Sequence, residues 1–563
     1  MSDRNLYCFI FLLTFSSILY SQSIYLNIRG EDSISSEIIE DFKYQEKHNS
    51  YESLDDELLN YQQKLINQGY FELRRTYFNK INDSTYRSNF YLGAKIDTIY
   101  IYQPKTLKNI ENPSSAKEGY IKVRVATSGL KLHLNNLVKE FASEGFPFAS
   151  VQLENFSRTQ NTISAYLKIN PGKSRTIDEI IIKGYEKFPR SFLKHYLKLK
   201  EGNSFNKEEV EGKLLKLKDL NFASSSREPE LLFTEDSTKL YLYLNKSTSN
   251  NFDGFLGFGT NEESNNLEFD GYLNLLLTNN LNFGERFFLS YKSDEIDQQT
   301  FLVDLELPFL FNSPLGVKTD LRIFRKDSSF TTTTQNLKLI YALNSKWNIS
   351  AGIRSSNSNN LLGNSSLETL PEIEDFSSFQ YTITSQWQIL QNDQRLFPIK
   401  TTLLGEIGFG NRDATSLSSS QYSFKLKAMN IFNFNNRNSI YLNGDTRILL
   451  SDNFLDNELY RFGGITSIRG FEENSLVANI YGVLNTEYRY QLSSSIYAHT
   501  ILDLGYLQND LTNINQKLFG IGFGLGVSTS AGLLKFNFAN GNFDGQNFRF
   551  SNSKIHLSLN AAF

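Results

Sequence analysis

The sequence is poor in cysteine, with Cys8 as the only one among 563 residues. Cys8 lies in the N-terminal stretch where Arg4 precedes the apolar run 6–20 and small or polar residues follow, which is the layout of a secretory signal. We therefore expect residues 1–22 to be a signal peptide, cleaved near Ser21 or Gln22. The chain that remains would have no thiol, which excludes disulfides and cysteine metal sites.

The sequence also has no large excess of positive or negative charge, and it has no second long apolar run. It has 57 Lys and Arg against 61 Asp and Glu, a balance that argues against nucleic acid as the main partner. No later segment offers the ~18 apolar residues of a membrane-spanning helix. Aromatic residues nevertheless make up 14% of the chain. Alternating β-strands give this combination, so an exported chain of this kind can be held in a membrane by a β-barrel.

Motifs of common enzymes are missing as well. The five histidines show neither metal-ligand spacing nor H-E-x-x-H, and G-x-S-x-G is absent. The glycines of "GIGFGLG" recur at every second residue, as on a strand, and no helix follows, so this is not a dinucleotide loop. We expect no enzyme activity, no cofactor and no metal.

What the first half does contain is a repeat. "LLNYQQKLINQGYF", "LNNLVKEFASEGFPF" and "VEGKLLKLKDLNFAS" have apolar residues at helical spacing. They end at the equally spaced residues Gly69, Gly145 and Asn221, each followed by an aromatic residue. Gly adopts the left-handed conformation that often ends a helix, and Asn tolerates it. Because strand-like runs adjoin these helices, we predict three tandem α+β domains. Their expected bounds are 23–95, 96–172 and 173–247.

The second half alternates apolar and polar residues at period two, the pattern of β-strands. In "TFLVDLELPF", for example, Phe301, Val303 and Leu305 share one face, and Asp304 and Glu306 share the other. We count sixteen strands. They are expected to start near residues 252, 265, 285, 298, 315, 330, 347, 378, 400, 419, 439, 477, 495, 517, 532 and 554.

The connections between these strands decide between two architectures. A soluble β-sandwich or propeller would alternate in the same way. Here the links are short on one side of the sheet, whereas several on the other side are long, the longest near 356–377, 452–476 and 541–553. An even strand number with this asymmetry is typical of outer-membrane barrels. We therefore predict that residues 248–563 form a 16-stranded antiparallel transmembrane β-barrel, which follows the α+β repeats.

The long link 452–476 contains "RFGGITSIRGF", a glycine-rich stretch that carries Arg469. Alternation in "LNTEYRYQL" and "IYAHTILDLGY" turns Glu487 and Asp503 towards the barrel interior. The link is long enough to fold back into the lumen. Arg469 is expected to pair there with both carboxylates, which suit its planar fork. The loop motif comprises Gly463, Gly464, Ile468, Arg469, Gly470 and Phe471. Inward glycines that would leave room for it are Gly505, Gly520, Gly522 and Gly524.

These residues carry a resemblance. "GGITSIRGF" resembles the loop motif of the BamA/TamA family of outer-membrane assembly and secretion proteins, whose core is V/I-R-G-F/Y. "NTEYRY", "LDLGY" and "KIHLSLNAAF" are similar to that family's twelfth, thirteenth and closing strands. The three repeats resemble its periplasmic POTRA domains, and their number is that of the TamA branch.

The resemblance implies a Gram-negative outer-membrane protein that inserts or exports client proteins, with its POTRA repeats in the periplasm. Its implied partners are outer-membrane or secreted clients, membrane lipids and periplasmic or lipoprotein accessory subunits, but not nucleic acid. A two-partner-type secretion pore and a passive porin remain as alternatives.

A seam between the first and last strands is the expected site of client entry. Gly257 and Gly259 weaken the first strand, because glycine packs poorly and adds chain entropy. In the last strand, Leu557, Leu559 and the terminal Phe563 form the apolar face. A free edge at this seam would accept a client strand by β-augmentation.

Overall fold

A computed structural model of the chain describes residues 23–105, 113–117, 119–260, 267–293, 298–362, 373–391, 394, 396–529, 532–546, 549–550 and 553–560. The predicted signal peptide lies outside these residues. The chain divides into two compact units. One comprises residues up to Thr176 with Ser204–Lys207, and the other comprises Ile177–Asn203 with the chain from Glu208 onwards. Among the described residues, no helix has the length and apolarity needed to cross a bilayer.

The first α+β domain is a four-stranded sheet with two helices. Its elements are β1 (Ile24–Gly30), α1 (Ser33–Asp41), β2 (Lys47–His48), α2 (Tyr51–Asn67), β3 (Arg74–Asn82) and β4 (Thr85–Tyr91). The strand order is β2-β1-β4-β3. Helix α2 begins where the side chain of Ser50 accepts a hydrogen bond from the amide of Ser53. Its buried residues Leu54, Leu58 and Leu65 pack in the core.

The second domain has a five-stranded sheet and one helix. Its elements are β5 (Thr98–Pro104), β6 (Pro113–Lys117), β7 (Tyr120–Ala126), α3 (Leu130–Ser143), β8 (Ser150–Thr159) and β9 (Thr162–Asn170). The order is β6-β7-β5-β9-β8.

The third domain contains β10 (Glu179–Gly184), α4 (Lys207–Leu214), β11 (Ala223–Ser225), β12 (Glu230–Phe233) and β13 (Thr238–Lys246). One pairing recurs in all three domains, because the first strand of each pairs in parallel with its last strand: β1 with β4, β5 with β9, and β10 with β13. The three sequence repeats therefore have a shared topology.

The expected helix end at Asn221 is wrong. Gly69 and Gly145 have positive φ values of 109° and 97°, whereas Asn221 does not adopt a positive φ. Instead, α4 tightens after Leu214 into a 3₁₀ turn over Leu215–Asp219, and Leu220 is extended. The extended Leu220 has already ended the helix, so no left-handed residue is needed at position 221.

The second half forms a 16-stranded antiparallel sheet, as predicted. The strands of this part of the chain are β14 (Asn251–Thr260), β15 (Leu267–Thr278), β16 (Arg286–Ser293), β17 (Gln298–Leu307), β18 (Leu315–Lys326), β19 (Phe330–Ala342), β20 (Trp347–Asn360), β21 (Phe376–Leu390), β22 (Ile399–Ala414), β23 (Ser418–Asn433), β24 (Asn438–Ser451), β25 (Tyr460–Phe462), β26 (Leu476–Ala478), β27 (Ile480–Gln491), β28 (Ile496–Asn509), β29 (Ile514–Thr529), β30 (Gly532–Phe543) and β31 (Ser553–Asn560). All except β25 and β26 belong to the large sheet.

The two faces of this sheet differ in the way a membrane barrel requires. On β19, Leu337, Leu339 and Tyr341 are exposed on the outer face. Asn336 and Lys338, which alternate with them, line the interior cavity. The interior is crossed by ion pairs, for instance from Lys338 on β19 to Glu406 on β22. An apolar exterior around a polar interior matches a transmembrane β-barrel.

The twelfth strand of the sheet begins later than predicted. The strand is expected to start near residue 477, but residues 476–478 form β26, which pairs with β25 as a two-stranded ribbon inside the long link. The sheet resumes with β27 at Ile480. Residues 477 and 478 do lie in a strand, as the alternation predicts, but this strand pairs with β25 and not with a strand of the large sheet.

The first and last strands form a discontinuity. Within the large sheet, a hydrogen-bonded ladder joins each strand to the next one in the sheet, from β14 to β31. Within the described ranges, no ladder joins β31 back to β14, although their Cα atoms come within 8 Å. Gly257 and Gly259 lie in β14 opposite Asp270 and Glu268 of β15. Leu557 and Leu559 lie in β31 opposite Phe536 and Leu534, and Phe563 lies outside the described residues.

Candidate functional site

The link between β24 and β27 folds into the barrel and is anchored there by apolar contacts. The ring of Phe462 stacks on Tyr481 of β27, with centroids 4.2 Å apart. Ile468 is fully buried in the same cluster, which includes Leu507 of β28 and Leu518 of β29. The link thus packs against the inner face of the barrel wall.

Three glycines shape the tip of this link. Gly463, Gly464 and Gly470 have φ values of 119°, 85° and 91°, in the region that favours glycine. The amide of Gly463 donates to Ser467 Oγ at 2.7 Å, and the amide of Ile465 donates to Glu473 Oε1 at 2.9 Å. The glycine-rich composition therefore reflects a defined turn that presents Arg469.

Arg469 is bonded through both its backbone and its guanidinium. Its backbone amide and its Nε each donate to Asp503 Oδ2 at 2.9 Å, and its Nη2 donates to Asp503 Oδ1 at 2.6 Å. Its Nη1 donates to Glu487 Oε1. This fork geometry is the bidentate recognition of a carboxylate that lysine does not reproduce.

The two acids hold the arginine in a buried, charge-balanced cluster. Asp503 is 0% exposed, and Glu487 and Arg469 are buried. Glu487 Oε2 also accepts a hydrogen bond from Arg489 Nε at 2.7 Å. Two cations thus face two carboxylates, so no net charge is left without a partner, which is the condition that makes burial of such groups tolerable.

Two of the four predicted glycines lie directly under the loop. A Cβ at Gly505 would lie 3.0 Å from Ile468 Cδ1, and one at Gly520 would lie 2.5 Å from the Arg469 carbonyl oxygen. The nearest neighbours of Gly522 and Gly524 are instead the backbone of β30 and the side chains of His499 and Asn537. The expectation that all four glycines make room for the loop is therefore wrong for Gly522 and Gly524. Their nearest neighbours belong to the barrel strands and not to the loop.

Three residues of this site, Gly541, Asn485 and Arg489, are not among the site residues predicted from the sequence. Gly541 of β30 lies opposite Gly520, and a Cβ there would lie 2.5 Å from the Gly470 carbonyl oxygen. Asn485 Nδ2 donates to the Ser467 carbonyl at 2.6 Å. Asn485 and Arg489 alternate with the inward Glu487 and were therefore identifiable. Gly541 required the register between β29 and β30.

The rest of the interior keeps an open space beside the loop. A cavity of about 720 Å³ is lined by charged residues of β17–β24 and by loop residues such as Gly463 and Thr466. In the described part of the chain, no group of three or more His, Cys, Asp and Glu side chains is placed to hold a metal ion.

Comparison with known proteins gives two family matches. The Omp85 superfamily domain matches residues 274–556, and the POTRA family, described as a surface antigen variable number repeat, matches residues 175–245. No curated protein matches the chain in sequence.

Among solved structures, CdiB from Escherichia coli is similar with a TM-score of 0.53 and 14% identity, over 91% of this chain and 97% of that one. BamA from Haemophilus ducreyi lacking POTRA domains 1–3 gives a TM-score of 0.49 and 13% identity, over 77% and 94% of the two chains. The likeness to CdiB concerns the fold.

Proposed function

The chain belongs to the Omp85 superfamily, and from that premise we propose that it inserts or exports client proteins at the outer membrane through the barrel's lateral seam. It is an outer-membrane protein of a Gram-negative bacterium, with POTRA structure in the periplasm. The proposal concerns transport without catalysis.

The observation that carries this proposal is the seam. Every successive pair of barrel strands is hydrogen-bonded, whereas the described residues of β14 and β31 form no ladder with each other. Strand edges that share no ladder, as the described residues of these two do not, form a template for a further strand. A client β-strand can therefore add to either edge without breaking an existing ladder.

The loop that carries Arg469 supports a route at the seam over a route through the lumen. The loop fills part of the interior and is fixed to β27 and β28 by the cluster of Arg469, Glu487 and Asp503. Breaking such a buried cluster by removal of one partner costs about 3–5 kcal/mol. A passive porin has no need of a loop fixed in this way.

The periplasmic domains are proposed to receive the client. We assign residues 23–95, 96–172 and 173–247 to three POTRA repeats, since the same parallel pairing of first and last strand recurs in each. Edge strands such as β3 and β8 lie at the ends of their sheets and offer free backbone groups. Three repeats agree with the layout of the TamA branch.

Depletion of the protein, followed by quantification of the outer-membrane proteome, tests this function. We expect a defined set of barrel or secreted proteins to decline, and re-expression of the intact chain should restore them. A proteome that keeps all its proteins while small-solute uptake falls would instead support the porin. Accumulation of a single exported protein in the periplasm would support two-partner-type secretion.

A further inference from the structure

The link between β21 and β22 enters the periplasmic end of the barrel. The amide of Gln391 donates to the Pro398 carbonyl at 2.8 Å, and Gln391 Nε2 donates to the Phe397 carbonyl at 2.6 Å. These bonds join the two ends of the link. Leu396 is buried, and the ring of Phe397 meets the ring of Tyr497 on β28 edge-on, with centroids 4.8 Å apart. The turn therefore directs an aromatic side chain across the lumen.

Phe397 forms one side of a clamp around Arg489. The Arg489 guanidinium lies over the Phe397 ring at 4.4 Å and over the Tyr441 ring at 4.0 Å. A guanidinium in contact with two aromatic rings loses much of its freedom to rotate, and each contact is also a cation–π attraction. The clamp therefore fixes the direction in which the nitrogen atoms of Arg489 point.

That direction is towards the carboxylate that holds the loop. Arg489 Nε donates to Glu487 Oε2 at 2.7 Å, while the other oxygen of Glu487 accepts from Arg469. Glu487 is thus held between a barrel arginine and the loop arginine. A continuous set of contacts runs from the periplasmic turn, through Phe397, Arg489 and Glu487, to Arg469.

We infer that Phe397 is a positioning residue for the loop arginine, because it holds Arg489 in the orientation that presents Glu487 to Arg469. The inference rests on the proposed role of the loop and adds a second, periplasmic determinant to it. Without the ring, Arg489 can turn into the space that the Phe397 side chain occupies. Glu487 would then turn with it and loosen its bond to Arg469.

Hydrogen exchange of the loop peptide 463–471 in the full-length protein tests this directly. The amides of Gly463, Ile465 and Arg469 are bonded to Ser467, Glu473 and Asp503, so they report whether the loop stays folded against the wall. Loss of one cation–π contact at a partly shielded site should speed exchange about threefold to tenfold. Phe397→Ala should show this acceleration with unchanged barrel assembly on heat-modifiable gels.

Matched variants separate the clamp from simple packing. Phe397→Leu keeps apolar bulk without a ring and should exchange as fast as Phe397→Ala, whereas Phe397→Tyr should behave as the wild type. Phe434→Ala removes a 65% exposed aromatic from the neighbouring periplasmic link and should change nothing. Wild-type exchange in Phe397→Ala or Phe397→Leu, or equal acceleration in Phe434→Ala, would overturn the inference.

The outcome is independent of client transport. If the loop is not needed for transport, depletion and complementation assays will show it, while the exchange rates still report on the clamp. If the clamp is wrong, exchange stays at the wild-type rate even though Arg469 variants impair transport. The two failures therefore give different results.

Discussion

At the scale of single residues, Asp503 is the acid whose buried charge depends most on Arg469 for compensation. It accepts three of the hydrogen bonds made by Arg469 and is completely buried. Glu487 has a second partner in Arg489, whereas the ion pair of Asp503 is with Arg469. Removal of Arg469 would therefore leave Asp503 as the buried charge without compensation.

We predict that Arg469→Ala damages transport more than other single substitutions in the loop. The loss should destabilise the docked loop by about 3–5 kcal/mol, and by less where water reaches the site. Arg469→Lys should rescue it only partly, because lysine cannot bond both oxygens of Asp503 in a fork. Protease sensitivity of the loop and levels of client proteins measure the effect. Normal values of both in Arg469→Ala would show that the cluster does not hold the loop.

A second prediction concerns the surface beneath the loop. Gly520→Ala should displace the loop, because the new Cβ would lie 2.5 Å from the Arg469 carbonyl oxygen and 3.2 Å from Asp503 Cβ. Overpacking of this kind typically costs about 1–3 kcal/mol. Gly405→Ala is the control, since no atom lies within 4 Å of its added Cβ. Equal proteolysis of the loop in both variants would contradict this account.

The sequence predicts those parts of the site that depend only on which strand residues face the barrel interior. Period-two spacing identifies which residues of β27 and β28 face inwards, and this is how Glu487 and Asp503 were selected. The position of Gly541 depends on strand register, which alternation does not determine. The same applies to Gly522 and Gly524, whose inward direction was evident but whose nearest neighbours were not.

At the scale of elements, strand existence was more predictable than strand partnership. The predicted starts of the barrel strands lie close to the starts in the structure. Residues 476–478, however, pair with Tyr460–Phe462 inside the loop. A short alternating run has the same pattern in either place. The third repeat helix shows the same limit, because its 3₁₀ end depends on local backbone geometry that a sequence repeat does not encode.

The closing strand carries a prediction of its own. Deletion of Phe563, or addition of a charged tail after it, should lower barrel yield without affecting the folding of the periplasmic domains. The physical reason is that an aromatic residue at the end of an apolar strand face suits the periplasmic membrane interface. Heat-modifiable mobility measures the yield. Phe311→Ala, which removes a 98% exposed aromatic from another periplasmic link, is the control and should assemble normally. Normal mobility of the truncated protein would count against a role for the terminus.

At the scale of the whole molecule, the barrel combines a fixed interior with a seam between its first and last strands. The arginine cluster fixes the loop to β27 and β28, whereas β14 and β31 share no ladder in their described residues. Period-two alternation and loop lengths are enough to predict the barrel and its strand number. The state of the seam depends on hydrogen bonds between strands that are distant in sequence, so it required the structure.

Locking the seam tests the central claim most directly. The only natural cysteine is Cys8, in the predicted signal peptide, so engineered pairs across positions 254–260 and 555–561 can be scanned cleanly. The control pair is Ile340→Cys with Ser350→Cys, which lie opposite each other on β19 and β20. A fully crosslinked seam should abolish client assembly, reductant should restore it, and the control crosslink should have no effect. Undiminished client assembly with a fully crosslinked seam would contradict entry through the seam.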